Sequence, residues 1–463
     1  MTRMSLFGTD GIRGLVGVPP VDPQTFLQLG WALGQFAAQK RVLIAKDTRL
    51  SGYMLESALI AGLTSSGCDV FLTGPLPTPA LAYLTQSLGA ELGIMISASH
   101  NPYHDNGLKI FYQGAHKLTD HQQKTIEQLA LEPMTFMHSQ GKSYRLPDAP
   151  GRYLEFLKRH VQFERLHNRS IILDCAHGAA YKVAPQLFEE YQAIVHTIYA
   201  QPNGFNINEQ CGVMALTALE TMMLQVHSDY SIAFDGDADR VVLYIKGKKC
   251  DPHYMLLMLF ELYKRRYCYT GGIIGTQIHN QGLVTYCQKE GIPWIATLVG
   301  DRHLIVAARE SGFKIAGEPS GHYILMDKLP TADGLLTALL IIDEIEQGYA
   351  KDLKWYEENV PLWPSFSHAF PITQPQLFIQ REEFQFAIQA LQTQNPSLRI
   401  LIRASGTEPL IRVYIEGEVS QKEFQKLITY LQHIIDEELT QEHSMEGAYF
   451  GKDAYIKLEA SLG

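Results

Sequence analysis

Residues 231–245 read Ser231-Ile232-Ala233-Phe234-Asp235-Gly236-Asp237-Ala238-Asp239-Arg240-Val241-Val242-Leu243-Tyr244-Ile245, an acidic loop between two apolar runs. Each run has the length of a buried strand, and a turn rich in Asp and Gly ends the first one. Apolar runs followed by Gly- or Asp-bearing turns recur along the chain, at Val42-Leu43-Ile44-Ala45, Gly93-Ile94-Met95-Ile96, Ile171-Ile172-Leu173 and Ile273-Ile274-Gly275. The pattern predicts a series of buried strands.

Amphipathic segments lie between these strands, at Leu55 to Ser66, Asp301 to Arg309 and Gly334 to Ile345. Strands that alternate with such segments are typical of α/β proteins, in which crossover helices cover both faces of a mixed sheet. The last hundred residues differ, because a strand-loop-strand pattern from Arg399 to Glu416 is followed by one helical stripe of apolar residues. We therefore expect three α/β domains and a smaller α+β domain at the C-terminus.

Turn-forming residues mark the expected domain boundaries. The chain has 463 residues, which is room for about three domains of ~150 residues. Turn formers cluster at 140–151 and at Lys246-Gly247-Lys248-Lys249, and four prolines crowd into 361–375. These breaks divide the chain into domains 1–145, 146–247, 248–360 and 361–463.

Composition excludes several classes of protein. Hydrophobic residues are 46% and charged residues 19% of the chain, a globular mixture, and the net charge of −10 disfavours nucleic acid and anionic membranes as partners. The N-terminus leads into Gly8-Thr9-Asp10-Gly11 without an apolar signal segment, so we expect a cytoplasmic protein. The six cysteines are scattered without a C-x-x-C pair, which predicts reduced thiols rather than zinc ligands or disulfides.

The acidic loop predicts a metal site. Asp235, Asp237 and Asp239 stand at alternate positions at the end of a strand, and such concentrated negative charge is costly unless a hard cation neutralises it. Oxygen ligands suit Mg²⁺. An EF-hand is excluded because Arg240 and Lys246 occupy the positions that require Gly and Glu. An ordinary acidic turn remains the alternative.

A second loop, Ser97-Ala98-Ser99-His100-Asn101-Pro102, also follows a buried run. Ligands of open α/β sheets gather at the carboxyl ends of strands, so Ser99 is a candidate nucleophile or phosphate acceptor. Lys109 begins the next predicted strand and could return to the same rim as a proton acceptor or phosphate partner. The alternatives are an Asn-Pro turn with a locally bonded serine and a solvated lysine.

Three further loops carry polar groups. Gly317-Glu318-Pro319-Ser320-Gly321-His322 could bind sugar hydroxyls or could be a simple turn. Arg403-Ala404-Ser405-Gly406-Thr407-Glu408-Pro409, with Arg412 close by, offers two guanidinium groups and turn amides for a phosphate, and it lacks the nucleotide P-loop pattern. In Gly8-Thr9-Asp10-Gly11-Ile12-Arg13-Gly14, Arg13 could approach a phosphate or face water.

Taken together, in this order and spacing, these five loops resemble those of the α-D-phosphohexomutases from Gly8 to about Leu439. Asn206-Ile207-Asn208-Glu209 and Val299-Gly300-Asp301-Arg302 resemble the branch that acts on glucosamine phosphates. The resemblance implies four domains around one central cleft, with one loop from each domain.

The resemblance also implies roles for individual residues. Ser99 would be the phosphoserine, and its phosphate would hold Mg²⁺ together with Asp235, Asp237 and Asp239. Lys109 would be the general acid/base, with His100 and Arg13 beside it. The substrate would be bound by Glu318, Ser320, Arg240, Arg403, Ser405, Gly406, Thr407 and Arg412.

The implied reaction interconverts glucosamine 6-phosphate and glucosamine 1-phosphate through a bound 1,6-bisphosphate. Glucosamine 1,6-bisphosphate or glucose 1,6-bisphosphate would act as primer, and the product would supply amino-sugar nucleotide and cell-wall synthesis. Two alternatives stay open: the same chemistry on mannose or glucose phosphates, and a non-catalytic protein that binds sugar phosphates. The expected partner is a hexosamine phosphate, and a homodimer is the assembly to test.

Overall fold

The computed structural model describes residues 6–8, 11–38, 40–135, 139–161, 166–405 and 409–447. The chain divides into two compact units, Met1–Pro361 and Leu362–Gly463. Three mixed sheets with their helices make up the first unit, and one antiparallel sheet with three helices makes up the described part of the second. Strand-rich buried runs and amphipathic helices therefore form the α/β architecture that the sequence predicts.

Sheet I has seven strands, in the order β1-β5-β4-β2-β3-β7 with β6 beside β5. Strands β2, β3, β4 and β7 are parallel, whereas β5 is antiparallel to its neighbours. The elements are β1 (Ile12–Leu15), α1 (Pro23–Phe36), β2 (Arg41–Lys46), α2 (Ser51–Ser65), β3 (Asp69–Pro75), α3 (Thr78–Ser87), β4 (Leu92–Ile96), β5 (Asp105–Tyr112), β6 (His116–Lys117), α4 (Asp120–Leu129) and β7 (Ser143–Arg145). Every residue of β4 is buried, as its apolar run predicts.

Sheet II has five strands in the order β12-β11-β10-β8-β9. The three strands β8, β9 and β10 are parallel, and β11 returns antiparallel to β10 after the acidic loop. The elements are α5 (Ala149–Lys158), β8 (Ser170–Asp174), α6 (Val183–Glu190), β9 (Ile194–Ile198), α7 (Thr217–Gln225), β10 (Tyr230–Phe234), β11 (Val241–Ile245) and β12 (Lys248–Lys249).

Sheet III also has five strands, in the order β14-β13-β15-β16-β17. Strands β13, β14 and β15 are parallel, and β16 and β17 are antiparallel. The elements are α8 (Pro252–Tyr267), β13 (Ile273–Thr276), α9 (Gln281–Lys289), β14 (Trp294–Thr297), α10 (Asp301–Ser311), β15 (Ile315–Glu318), β16 (His322–Leu325), β17 (Leu329–Ala332), α11 (Gly334–Glu346) and α12 (Leu353–Asn359).

Sheet IV lies in the second unit and has the order β18-β20-β19, all antiparallel. Its apolar face packs with the helices into a separate core that includes Phe370, Ile411, Ile415, Phe424 and Leu431. The elements are β18 (Ser365–Pro371), α13 (Pro375–Phe378), α14 (Glu382–Gln394), β19 (Leu398–Ala404), β20 (Leu410–Gly417) and α15 (Gln421–Gly447). The α+β character predicted for the C-terminal part is confirmed.

The structure differs from the sequence interpretation at three places. The turn-rich stretch 140–151 contains β7, which pairs with β3, and the start of α5, so it is not a bare linker. Lys109 lies in the middle of β5 and not at the start of a strand. Lys248 and Lys249 pair with β11 through a tight turn at Lys246-Gly247, where both residues have positive φ. Pairing with another strand, which the local pattern alone does not show, decides all three features.

Polar loops follow β4 in sheet I, β10 in sheet II and β15 in sheet III. Each of these strands is parallel to a neighbour, so each loop lies at a carboxyl edge where ligands of α/β proteins bind. Among the residues that the structure describes, no helix combines the length and apolar character needed to cross a membrane.

Candidate active site

Ser99 lies directly after β4 in a constrained backbone conformation. Its φ is +52°, a left-handed value that L-residues with a Cβ adopt at a cost, and only 1% of its surface is exposed. The Ser99 amide donates to Ser97 Oγ at 2.9 Å, and Ser97 Oγ donates to Asp47 Oδ2 at 2.6 Å. The surrounding structure therefore holds this serine in a conformation that it would not adopt alone.

The Ser99 side chain meets the acidic loop of sheet II. Its Oγ donates to Asp235 Oδ2 at 2.6 Å, although 136 positions separate the two residues. One carboxylate oxygen from each of Asp235, Asp237 and Asp239 lies within 4.8 Å of the others, and all three residues are buried. The structure thus brings together the serine and the three aspartates that the sequence singles out.

Lys109 lies at the same place. It is opposite Met95 of β4 in the antiparallel register, and its Nζ reaches Asp237 Oδ2 at 2.8 Å and Asp239 Oδ2 at 2.6 Å. The side chain is 3% exposed. The ammonium group of Lys109 is therefore buried against two of the three carboxylates.

Asp235 and Asp239 have different proton affinities. Burial, together with the negative charges of Asp239 and Asp237, raises the pKa of Asp235 to about 8. Burial also acts to raise the pKa of Asp239, but the nearby charges of Lys109, His322 and Arg240 hold it well below its usual value. The protein groups alone therefore do not neutralise the negative charge evenly across the cluster.

This cluster fits a divalent cation. Asp237 Oδ1 and Asp239 Oδ1 are buried and have no hydrogen-bond partner among the described residues. Buried carboxylate oxygens without donors are costly, and three carboxylates in one place are ligands suited to Mg²⁺. The residues present therefore match the magnesium site expected from the sequence.

Two arginines and a histidine surround the cluster. Arg240 donates its amide to Asp235 Oδ1 at 3.2 Å, and Arg13 Nη1 donates to the Ala98 carbonyl at 3.4 Å. Burial, and then the positive charges of Arg240 and Arg13, lower the pKa of His100 to about 2. His100 is therefore a neutral imidazole at physiological pH, which suits positioning better than proton donation.

Sheet III adds a carboxylate and a second histidine. Glu318 accepts from the Gly300 amide at 2.9 Å and from Ser320 Oγ at 3.1 Å. His322 lies opposite Glu318 in the β15–β16 register, with its Nδ1 3.7 Å from Asp239 Oδ1. Burial lowers the pKa of His322, but the negative charges of Asp239, Asp301 and Glu318 outweigh it, so the net shift is upward.

The predicted phosphate loop belongs to the second unit. Arg403 of β19 and Arg412 of β20 are directly opposite in the strand register. Ser405 is buried, and its amide donates to the Leu410 carbonyl at 2.8 Å. Gly406 and Thr407 lie outside the described residues. Within this unit the two guanidinium groups therefore start from adjacent positions at one end of the hairpin.

Sequence reasoning gave no role to three residues that touch the site. Thr78, at the start of α3, donates its Oγ1 to Asp237 Oδ2 and its amide to the Asp237 carbonyl. Asn208 Nδ2 and the buried Arg49 both donate to carbonyls of the Ser99 loop. Asn208 stands in one of the motifs quoted for the glucosamine branch, but no local pattern shows a long-range contact for Thr78 or Arg49.

A left-handed serine beside a buried carboxylate cluster and a lysine, where three α/β sheets meet, defines a phosphoryl-transfer enzyme of the phosphohexomutase type. The chain belongs to the phosphoglucomutase/phosphomannomutase family. Models of that family's α/β/α domains I, II and III match residues 4–135, 151–248 and 251–360, and the model of its C-terminal domain matches residues 385–431.

Curated relatives of this chain are named phosphoglucosamine mutase. Phosphoglucosamine mutase of Aliivibrio salmonicida is 42% identical over 426 residues, covering 90% of this chain and 96% of the relative. Phosphoglucosamine mutase of Photobacterium profundum is 43% identical over 427 residues, with the same coverages of 90% and 96%. The chain therefore resembles these relatives over nearly their full length.

Solved structures show the same fold. A phosphoglucomutase/phosphomannomutase family protein from Burkholderia thailandensis has a TM-score of 0.75 at 22% identity, covering 93% of this chain and 98% of the other. Aspergillus fumigatus N-acetylphosphoglucosamine mutase, solved with GlcNAc-6P and magnesium, has a TM-score of 0.62 at 16% identity, covering 94% and 96%. The four-domain fold predicted from the sequence is confirmed.

Proposed function

We propose that this protein interconverts glucosamine 6-phosphate and glucosamine 1-phosphate by phosphoryl transfer through Ser99. The observation that carries the proposal is the 2.6 Å hydrogen bond from Ser99 Oγ to Asp235 inside the buried aspartate cluster. The glucosamine substrate rests on the names of the curated relatives at 42% and 43% identity.

Ser99 carries the transferable phosphoryl group in this proposal. It gives the group to O1 of the 6-phosphorylated sugar, which forms a 1,6-bisphosphate, and it then accepts the other phosphoryl group from O6, which leaves the 1-phosphate. Lys109 is buried beside the aspartates as an ammonium group, which donates a proton to the leaving oxygen and, as the amine, accepts the proton of the attacking hydroxyl. Arg13 and Arg240 supply positive charge next to the transferred group.

Asp235, Asp237 and Asp239 would hold Mg²⁺ together with an oxygen of the Ser99 phosphate. The cation supplies electrostatic stabilisation for the negative charge on the transferred phosphoryl group. The aspartates and Thr78 set the positions of the ligand atoms before substrate arrives. Glucosamine 1,6-bisphosphate or glucose 1,6-bisphosphate would phosphorylate an empty Ser99 and start the cycle.

Glu318 and Ser320 bind sugar hydroxyls in this proposal, since a hydrogen bond from Ser320 Oγ to Glu318 holds their polar groups together at the end of β15. The non-reacting phosphate is bound by Arg403, Ser405, Gly406, Thr407 and Arg412 of the second unit, because paired guanidinium groups suit a phosphate with two parallel donors.

The domain limits at residues 145, 247 and 360, the cytoplasmic location and the homodimer stay predictions.

Replacement of Ser99 by Ala tests the proposal. We expect intact-mass analysis after incubation with glucose 1,6-bisphosphate to show one added phosphate on the wild-type chain and none on Ser99→Ala. Mutase activity with Mg²⁺ should be lost in Ser99→Ala and kept in Ser143→Ala, whose serine is exposed on β7. Full activity of Ser99→Ala would overturn the assignment.

The choice of sugar needs a separate measurement. Values of kcat/KM on the 6-phosphates of glucosamine, glucose and mannose should be highest for glucosamine. A preference for glucose or mannose phosphate would keep the mechanism and replace the substrate, and binding of all three without turnover would indicate a sugar-phosphate-binding protein.

A further inference from the structure

We infer that Asn208 is a positioning residue for the Ser99 loop, and that it fixes the serine relative to the metal-binding aspartates. The inference rests on the proposed function and extends it to a residue outside the five polar loops. Asn208 belongs to the stretch Asn206-Ile207-Asn208-Glu209, between β9 and α7, which the reaction described above does not use.

A single side-chain amide makes two long-range hydrogen bonds. Asn208 Nδ2 donates to the Ser99 carbonyl at 2.8 Å and to the Asn101 carbonyl at 2.9 Å, across 109 and 107 positions of the chain. The backbone amide of Asn208 also donates to the Ala176 carbonyl at 2.9 Å, which anchors the residue near the end of β8. Sheet II thus contacts the backbone of the nucleophile loop of sheet I directly.

The same two carbonyls also receive a donor from sheet I. Arg49 Nη2 donates to the Ser99 carbonyl at 3.4 Å and to the Asn101 carbonyl, and Arg49 itself is completely buried and paired with Asp47. A carbonyl oxygen has two lone pairs, so each of these two carbonyl oxygens can accept one hydrogen bond from Arg49 and one from Asn208. The peptide after Ser99 is therefore held from both sides.

This grip matters because Ser99 is in a left-handed conformation at φ +52°. A residue in that region stays there only when its surroundings determine it. The orientation of the Ser99 carbonyl and the direction of Oγ toward Asp235 follow from the same backbone angles. Loss of the Asn208 donors would let the loop relax and move Oγ away from the aspartates.

Gly236 shows how closely the two loops are fitted. A Cβ at Gly236 would lie 2.5 Å from the Ser99 carbonyl oxygen and 2.9 Å from Asn208 Nδ2. The backbone between Asp235 and Asp237 therefore packs directly on the bond that Asn208 makes. A shift of Asn208 would be transmitted to the positions of both aspartates and of Ser99.

Two substitutions separate the amide from the backbone. Asn208 has φ +58°, and Gly and Asp both tolerate this region, so Asn208→Gly removes the amide without strain. Asn208→Asp keeps the shape of the side chain and replaces the donor by an oxygen that the Ser99 and Asn101 carbonyl oxygens repel. Glu209→Gln, an exposed neighbour, is the matched control. Asn208→Asp carries the test if Asn208→Gly does not fold.

We expect both Asn208 variants to lower kcat by about 10²-fold, the usual effect of misplacing a reacting group by ~1 Å, with KM for the sugar phosphate within about twofold of wild type. The half-saturating Mg²⁺ concentration should rise by about tenfold, in titration calorimetry as well as in kinetics, because the support of the ligand set is lost. The rate at which glucose 1,6-bisphosphate phosphorylates Ser99, measured by intact-mass analysis, should fall together with kcat. Glu209→Gln should match wild type in all three.

Unchanged kcat and Mg²⁺ affinity in a folded Asn208→Asp protein would overturn the inference, and so would a defect confined to thermal stability. Failure of the proposed function is recognised separately, because the wild-type chain would then show no mutase activity on any hexose phosphate and no phosphate on Ser99. Calorimetric Mg²⁺ affinity still compares the variants in that case, and an unchanged affinity would again overturn the inference.

Discussion

At the scale of single residues, the site depends on backbone contacts so close that no side-chain atom can be added between them. Gly236 is the clearest case, since a Cβ there would meet the Ser99 carbonyl oxygen, a backbone atom that cannot move without moving the serine. We expect Gly236→Ala to lower kcat by about 10²-fold. Steady-state kinetics at saturating Mg²⁺ and sugar phosphate measure this effect.

The control is Gly151→Ala. Gly151 lies in α5 with nothing within 4 Å of the added Cβ, and its φ is not in the left-handed region. Ala is favoured over Gly in helices by up to about 1 kcal/mol, so this variant should keep full activity and unfold at an equal or slightly higher temperature. Equal activity of the two alanine variants would contradict the close packing of the loops.

Thr78 gives a second prediction at this scale. Its hydroxyl donates to Asp237 Oδ2, so Thr78→Val removes a donor to a proposed metal ligand while keeping the shape of the side chain. We expect Mg²⁺ affinity to fall by about tenfold, in line with other groups that support metal ligands. Titration calorimetry with Mg²⁺ measures the change.

Thr85→Val is the matched control, because Thr85 is buried in the same helix and its Oγ1 donates only within that helix, to the Leu81 carbonyl at 2.8 Å. This variant should bind Mg²⁺ like wild type. An equal loss in both valine variants would mean that general disturbance of α3, and not the bond to Asp237, sets the affinity.

At the scale of elements, the sequence was sufficient wherever a local pattern determines structure. The predicted strands at 42–45, 93–96, 171–173 and 273–275 all lie within observed strands, because each is a short apolar run that must be buried. The stretch 140–151, predicted as a linker from its turn-forming residues, also contains a strand. Its strand β7 is exposed and polar, and only pairing with β3 makes it a strand.

The site shows the same division. Ser99 and the aspartates could be singled out because polar residues after a buried run are conspicuous in a sequence. Thr78, Arg49 and Asn208 could not be given a role, since their partners lie 159, 50 and 109 positions away. Such contacts arise from the packing of whole sheets, which no local pattern encodes.

The N-terminus of α11 carries a buried acid whose protonation should affect stability. Asp333 caps the helix by accepting from the Leu336 amide at 2.9 Å, and it accepts from Tyr153 Oη at 2.9 Å. Burial outweighs these hydrogen bonds and raises the pKa of Asp333 from 3.8 to about 7. The folded state therefore keeps a proton that the unfolded state releases as pH rises from about 4.

Stability should accordingly decrease as pH rises across the window from about 4 to about 7. Asn is also a good cap and carries no charge, so Asp333→Asn should remove this part of the pH dependence. Thermal melts at several pH values should show the melting temperature of Asp333→Asn rising relative to that of wild type as pH increases. Asp333→Ala, which has no cap, should be less stable than Asp333→Asn by about 1 kcal/mol at every pH. Parallel curves for wild type and Asp333→Asn would contradict the raised pKa.

At the scale of the whole molecule, the first unit is joined internally by ion pairs that cross between sheets. Lys117 of β6 pairs with Asp301 of α10, and Arg302 of α10 pairs with Asp120 of α4. The Lys117–Asp301 pair is largely buried, and Asp301 also lies 3.7 Å from His322. Removal of one partner leaves the other charge buried and uncompensated.

A double-mutant cycle measures this coupling. Lys117→Met and Asp301→Asn should each lower the melting temperature, and the double variant should lose less than the sum of the two. Arg152→Met and Asp148→Asn form the control cycle, because that pair is exposed and should show little coupling. Additive losses at Lys117 and Asp301 would mean that the pair does not join the sheets.

The division into two units leads to the last prediction. Residues 1–361 contain the serine, the lysine and all three aspartates, whereas Arg403, Ser405 and Arg412 belong to the second unit, which has its own core. A chain ending at Pro361 should therefore fold, bind Mg²⁺ with about the affinity of the full chain, and lose turnover by about 10³-fold or more, because the non-reacting phosphate supplies the binding energy that orients the sugar. In the full chain, Arg412→Met should raise KM and leave Mg²⁺ affinity unchanged. Normal turnover by the truncated chain would show that the phosphate-binding role proposed for the second unit is wrong.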